Sequence, residues 1–304
     1  QRQMCIRDRL KDKNMKNLVL RTITGVLFVA LTVFCLVHSL VSCIVFSLIV
    51  AVLANWEFSY NYDRHGYLST MRFANPVGAF ILFLVILMSQ SLLAPGMNLV
   101  FAFIPYIFLL VAMMVKVIMT YDEESESDSI VDLSVSVFSH IYTAGPFALL
   151  CILGMTGAEC GEGYSYVLPL SVFIFLWTND TGAYCTGSLL HNYFPKKMSP
   201  RVSPNKTWVG TIGGGVLCLV AACILWHFFA TYSLPVWLGF AVVVSFFGTL
   251  GDLFESTFKR CLNIKDSGKI LPGHGGILDR FDSAMMAVPA TYVYFMVVDI
   301  VNSL

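Results

Sequence analysis

Nine stretches of mostly apolar residues divide this chain, at about 19–37, 40–55, 76–94, 98–120, 133–155, 165–188, 210–230, 233–250 and 283–302. A helix needs about 20 such residues to cross a bilayer, and its backbone hydrogen bonds must close internally where there is no water. Nine runs of this kind in 304 residues leave room for little else. They predict an all-α, polytopic integral membrane protein with about nine transmembrane helices. Composition agrees: 57% of residues are hydrophobic and 12% are charged, against about 25% charged in a typical soluble domain. A soluble globular enzyme and a disordered chain are both excluded. Pro105, Pro146 and Pro289 fall inside runs, which membrane helices tolerate where neighbours satisfy the freed backbone groups. Only His38 and Ser39 separate the first two runs, so a tight helical hairpin is expected there.

Residues 1–14 are polar and lack apolar periodicity, and the run QMCIRDR resembles a translated sequencing adapter. A non-native or disordered leader is expected over 1–14, followed by a single membrane-embedded domain over 15–304. Of the nine cysteines, Cys35, Cys43, Cys151, Cys218 and Cys223 lie inside apolar runs, where a free thiol behaves as a small hydrophobe. No CxxC pair is present, so reduced thiols are expected rather than a redox or zinc site.

The net charge of zero, from 19 basic and 19 acidic residues, conceals a strong asymmetry. With nine spans, all 19 basic residues fall on one side of the membrane. Positive residues accumulate on the cytoplasmic side, which predicts that this face is cytoplasmic. Glu159 and Glu162 are the only charges in the opposite loops. The acidic stretch 122–132 has no fixed ligand spacing and reads as a solvated connector.

Residues 251–282 hold ten of the 38 charged residues. Charges at a membrane edge are costly and usually face a cavity or substrate. Asp252 ends the eighth run. Asp279 and Asp282, three apart, share one helical face where the ninth begins. Three converging carboxylates repel one another unless a cation neutralises them. Magnesium takes one or two carboxylates together with phosphate oxygens, and a second metal ion is an open alternative. For Asp279 alone, capping of the helix N-terminus explains the residue equally well. Lys259, Arg260, Lys265 and Lys269 supply cations that suit a polyphosphate. His274, in PGHGG, donates to a phosphate or caps the turn. Asp180 lies deep in the sixth run and is a secondary candidate, the alternative being an interhelical hydrogen bond. Lys206 and Thr207 stand before a helix start, where an anion is favoured. The glycines 210–215 read as close helix packing.

Ser256, Lys259, Arg260, Lys265, Asp266, Pro272, His274, Gly275, Gly276, Asp279, Arg280 and Asp282 together form a run that resembles the signature of phosphatidate cytidylyltransferases (CDP-diacylglycerol synthases). The segments around Asp180 and Lys206 resemble further blocks of that family, so the similarity covers about 175–285. Val209 departs from it, standing where the family often carries Glu. The resemblance implies transfer of the cytidylyl group of CTP to phosphatidic acid in the bilayer, giving CDP-diacylglycerol and pyrophosphate for phospholipid biosynthesis. It implies Asp252, Asp279 and Asp282 as magnesium ligands, and Lys259, Asp279 and Asp282 as the catalytic set. Ser256, Lys206, Arg260, Lys265, His274 and Arg280 would contact substrate. It further implies a homodimer in a bacterial inner membrane with its active face cytoplasmic, and no nucleic-acid partner. Two alternatives fit less well. A CTP-dependent polyprenol or phytol kinase would not account for the long run from Lys259 to Asp282. An ion-coupled transporter should show related halves, and no repeat is present.

Overall fold

The computed structural model describes residues 21–63, 74–89, 99–119, 129–156, 163–270, 273 and 275–303. They form nine helices: α1 (Arg21–His38), α2 (Leu40–Asp63), α3 (Ala74–Met88), α4 (Leu99–Met119), α5 (Ser129–Thr156), α6 (Val167–Leu190), α7 (Trp208–Phe228), α8 (Leu234–Cys261) and α9 (Leu278–Ser303). Seven are long and apolar enough to cross a membrane. The nine runs thus become nine helices, and an all-α polytopic membrane architecture is confirmed. The other two have plain reasons for missing the criterion. Helix α3 has only 15 residues. Helix α6 is long, but its second half carries Thr178, Asn179, Asp180 and Thr181.

The expected hairpin between the first two helices is present. Ser39 alone interrupts them, and its side chain and that of Ser42 each accept from the other's backbone N–H, at 3.2 and 3.0 Å. This reciprocal cap satisfies donors that a helix start leaves open. Cys43 and Cys151 are buried with their sulfurs 3.8 Å apart, a thiol hydrogen bond and not a disulfide, and the other described cysteines are also free.

One residue sets the orientation of α9. Phe281 is 1% exposed, and its ring meets Phe28 of α1, Phe46 of α2, Phe147 of α5 and Phe173 of α6 at centroid distances of 5.3–6.2 Å. Edge-on aromatic contacts of this kind add about 0.5–1.5 kcal/mol each beyond burial. Because Phe281 is pinned inward, its neighbours Asp279, Arg280 and Asp282 have a fixed direction.

Helices α6 and α7 approach closely along a glycine seam. A Cβ on Gly214 would stand 2.6 Å from the Asn179 carbonyl, and one on Gly182 would stand 3.0 Å from the Gly214 Cα. Between them lies a short hairpin that hydropathy does not show: β1 (Lys197–Ser199) paired antiparallel with β2 (Ser203–Thr207). Pro200 lies in the turn, and pairing of Lys197 with Thr207 closes the hairpin.

The ends of the bundle differ. The start of α1, the end of α2, the end of α8 and the start of α9 meet at one end, through Arg21 beside Gly273, Glu57 on Leu278, and Lys259 on Asp279. At the other end, Tyr164 bonds the Leu36 carbonyl and Tyr294 the Val236 carbonyl. The basic residues that cluster in sequence therefore cluster in space.

Gly214→Val, which forces a side chain into the α6–α7 seam, is expected to destabilise the protein by about 1–3 kcal/mol. Gly215→Ala, whose new Cβ meets nothing nearer than Ser245 Oγ at 3.4 Å, is expected to leave stability nearly unchanged. Thermal unfolding of both variants in detergent checks the contrast.

Candidate active site

Helix α8 does not stop where its apolar run ends. It continues to Cys261, so Asp252, Ser256 and Lys259 stand at i, i+4 and i+7 on one face. Ser256 Oγ donates to Asp252 Oδ1 at 3.2 Å. The other oxygen, Asp252 Oδ2, lies 2.5 Å from Lys206 Nζ. Lys206 arrives on β2 and is held there because Thr207, the next residue, caps α7 by accepting the Gly210 N–H.

Three residues from the start of that face, Glu255 points into the bundle and is 1% exposed. Its Oε2 lies 2.5 Å from Lys259 Nζ, and the same ammonium donates to Asp279 Oδ1 at 2.8 Å. One cation thus serves two carboxylates from two helices. Asp279 Oδ2 accepts two backbone N–H groups, from Ser267 at 2.9 Å and Gly276 at 2.8 Å. The reach back to Gly276 is the returning half of a capping box. Capping and a charged contact, alternatives in the sequence, coexist in one side chain. Gly275 makes the turn possible: its φ is +86°, and a Cβ would stand 2.8 Å from Asp279 Oδ2.

Asp282 reaches the same region by backbone contact. A Cβ on Gly251 would lie 2.6 Å from the Asp282 carbonyl, so α8 and α9 nearly touch there. Asp282 comes within electrostatic range of Asp252 and of Asp180. Asp180 projects from the polar half of α6 into a cleft of about 580 Å³, lined also by His191, Lys197, Lys206, Thr211 and Asp252. Asn179, beside it, is fixed by Ser245 Oγ donating to its Oδ1 at 2.7 Å and by its Nδ2 donating to Thr249 Oγ1 at 3.3 Å.

The candidate residues from the sequence separate into groups. Lys206, Asp252 and Ser256 form one contact set, and Lys259 and Asp279 a second. Asp180 and Asp282 face the first by charge rather than by direct contact. Arg260 is exposed and donates from Nε to the Val202 carbonyl at 3.4 Å, tying α8 to the hairpin turn. Lys265 is exposed on the segment joining α8 to α9, and Arg280 is exposed within electrostatic range of Asp180. His274, the leader 1–14 and most of the acidic stretch lie outside the described residues. Three polar residues at the site carried no flag in sequence: Glu255, Asn179 and Glu57. Glu57 follows the second apolar run by two residues, on the part of α2 that also carries Asn55, Ser59 and Asn61.

Asp180, Asp252 and Asp282 offer hard oxygen ligands of the kind a magnesium ion takes. Among the described residues no three His, Cys, Asp or Glu side chains are grouped tightly enough to form a ready-made metal centre. Both oxygens of Asp279 are already bound. The donors fit a cation completed by phosphate oxygens, not a closed protein cage.

Fold and site together define a polytopic helical membrane protein with a lysine- and carboxylate-lined cleft at one end of its bundle. A sequence model described as "Cytidylyltransferase family" matches residues 19–298. The chain belongs to the cytidylyltransferase family. It is 42% identical over 170 residues to a protein named phosphatidate cytidylyltransferase from Staphylococcus haemolyticus (strain JCSC1435), covering 53% of this chain and 64% of that one. Proteins of the same name from Staphylococcus aureus (strain COL) and Staphylococcus epidermidis (strain ATCC 12228 / FDA PCI 1200) are 40% and 41% identical over 172 residues, with the same shares covered. The aligned region therefore spans just under two thirds of these relatives.

Lys259→Met leaves Glu255 and Asp279 facing each other without their cation. Breaking a buried ion pair on one side costs about 3–5 kcal/mol, and the half-screened position of Lys259 places the expected loss at the lower end. Adding Glu255→Gln to Lys259→Met is expected to restore part of it. The apparent Tm of both variants checks this.

Proposed function

We propose that the protein transfers the cytidylyl group of CTP to phosphatidic acid, forming CDP-diacylglycerol and releasing pyrophosphate. The observation that carries the reading is the meeting of two lysine–carboxylate pairs, Lys206–Asp252 and Lys259–Asp279, at the end of the bundle where the basic residues gather. Family membership and the name of the relatives point the same way.

The chemistry asked of these residues is modest. An oxygen of the phosphatidate phosphate attacks the α-phosphorus of CTP. The bond from that phosphorus to the oxygen bridging the β-phosphate breaks, and its electron pair leaves with pyrophosphate. A phosphate monoester is already ionised, so no strong base is needed. The barrier is repulsion between two anions, and preorganised cations lower it. Lys206 and Lys259 supply charge from two sides, and Ser256 donates a hydroxyl hydrogen bond beside Asp252. Asp252 and Asp282, with Asp180 nearby, would hold magnesium, while Asp279, both of whose oxygens are engaged, would keep Lys259 and the turn before α9 in place. When bound, the ion neutralises phosphate oxygens and orients them. Lys265 and Arg280, both exposed, would meet the polyphosphate from the water side, and His274 belongs to the same segment. The protein would act in a bacterial cell membrane, with CTP arriving from the cytoplasm at the basic face and the lipid entering from the bilayer. A homodimer belongs to the same proposal.

Purified protein in detergent is expected to release pyrophosphate from CTP only when phosphatidic acid and magnesium are both present. Chelation by EDTA should stop turnover, and added magnesium should restore it. Asp279→Asn is expected to lower turnover by about 10²–10³-fold while the protein still inserts and purifies. Absence of pyrophosphate release from the unmodified protein would overturn the assignment.

A further inference from the structure

Glu57 is the structure's unexplained acid. It lies on α2, more than 200 residues from the segment it touches, and is 3% exposed. Its Oε2 accepts Ser267 Oγ at 3.1 Å and the backbone N–H of Leu278, the first residue of α9, at 2.9 Å. Its Oε1 is buried with no hydrogen-bond partner among the described residues. One turn further along the same face, Asn61 Nδ2 donates to the Ser267 carbonyl at 2.5 Å. Two glycines close around the carboxylate. A Cβ on Gly268 would collide with Glu57 Oε1, and one on Gly276 with Glu57 Oε2 and Ser267 Oγ.

Ser267 is therefore gripped at its hydroxyl and its carbonyl by α2, while its N–H is given to Asp279. Asp279 in turn holds Lys259. The contacts form one unbroken series, Glu57 and Asn61 to Ser267 to Asp279 to Lys259. A buried carboxylate is costly unless donors surround it, and these donors are all backbone or hydroxyl groups of the α8–α9 segment and the α9 start. We propose that Glu57 is a positioning residue: it latches Ser267 and the start of α9 onto α2 and so fixes Asp279 against Lys259 in the arrangement that turnover requires. Among the described residues Glu57 bonds Ser267 and the start of α9 and does not line the cleft, and it lies within electrostatic range of Asp279. The turnover arm of the test rests on the cytidylyl-transfer reading, and the exchange arm does not.

The experiment compares the unmodified protein with Glu57→Ala, Glu57→Gln and Ser267→Ala in detergent. Hydrogen exchange is followed at the peptides covering 262–279, alongside steady-state kinetics with CTP, phosphatidic acid and magnesium. Glu57→Ala is expected to speed exchange of the Ser267 and Gly276 amides at least tenfold, with α6 and α7 unchanged. It should lower kcat by about 10- to 100-fold, the range for losing hydrogen bonds to a charged group, with KM for CTP within threefold. Glu57→Gln keeps an acceptor for both donors and should recover kcat to within about fivefold. Ser267→Ala removes one donor and should show the same pattern more weakly, which keeps the proposal testable if Glu57→Ala does not fold. A uniform rise in exchange, or a lower yield with kcat of the folded fraction unchanged, would reduce Glu57 to a packing residue and overturn the latch. If the unmodified protein does not turn over, the functional reading fails, and local exchange alone decides the latch.

Discussion

Lys259 between Glu255 and Asp279 is the contact on which the site depends. It joins α8 to α9 at the level where both helices cease to be apolar. Two carboxylates this buried repel each other and resist ionisation unless a cation stands between them. Removing the lysine would therefore break more than one bond: it would set two elements against each other. The Lys206–Asp252 pair repeats the solution between β2 and α8, in a more solvated setting. A chain with 12% charged residues places several of them at opposed positions and lets each cation hold an acid from another element.

That arrangement needs close backbones. Side chains as short as Asp can share a region only if their helices nearly touch. Gly251 lets α8 meet α9 at Asp282, and the Gly182–Gly214 seam lets α7 meet α6 beside Asn179 and Asp180. Phe281 then fixes the rotation of α9, so that Asp279 and Asp282 flank an apolar anchor. Core packing and site geometry are here the same problem, because a turn of α9 about its axis would move all of them together.

The apolar runs read directly as helices, because twenty residues without charge have few other fates in a bilayer. The helix ends did not. Hydropathy falls at 250, yet α8 runs on to Cys261, since paired charges along one face cost a helix little. The charged stretch that begins at Gly251 starts as the last turns of a helix, and that is why Asp252, Ser256 and Lys259 align. The β1–β2 hairpin escaped notice for a related reason: a three-residue strand has no usable periodicity, and prolines around it suggest only stiffness. Lys206, Asp252, Lys259 and Asp279 could be picked out by charge density and spacing. Their partners could not, since which carboxylate meets which lysine depends on how β2, α8 and α9 pack against one another. Glu57 shows the limit most clearly: in sequence it is one polar residue among Asn55, Ser59 and Asn61, and its meaning lies at Ser267 and Leu278.

Why an acid from α2 should hold the α9 start, rather than an apolar lid covering it, follows from the backbone. The first N–H groups of a helix have no partner within it, and Leu278 is fully buried, so water cannot serve its N–H. An apolar side chain at position 57 would leave that donor and the Ser267 hydroxyl unsatisfied, each a penalty of about 1–3 kcal/mol. A carboxylate answers both with one oxygen and is further favoured by the positive end of the helix dipole. Glycines at 268 and 276 follow as a consequence, because a carboxylate can reach those donors only if no side chain intervenes. The turns of positive φ fall at other glycines, Gly273 and Gly275, so in this segment glycine serves two separate needs: close approach of the acid and reversal of the backbone.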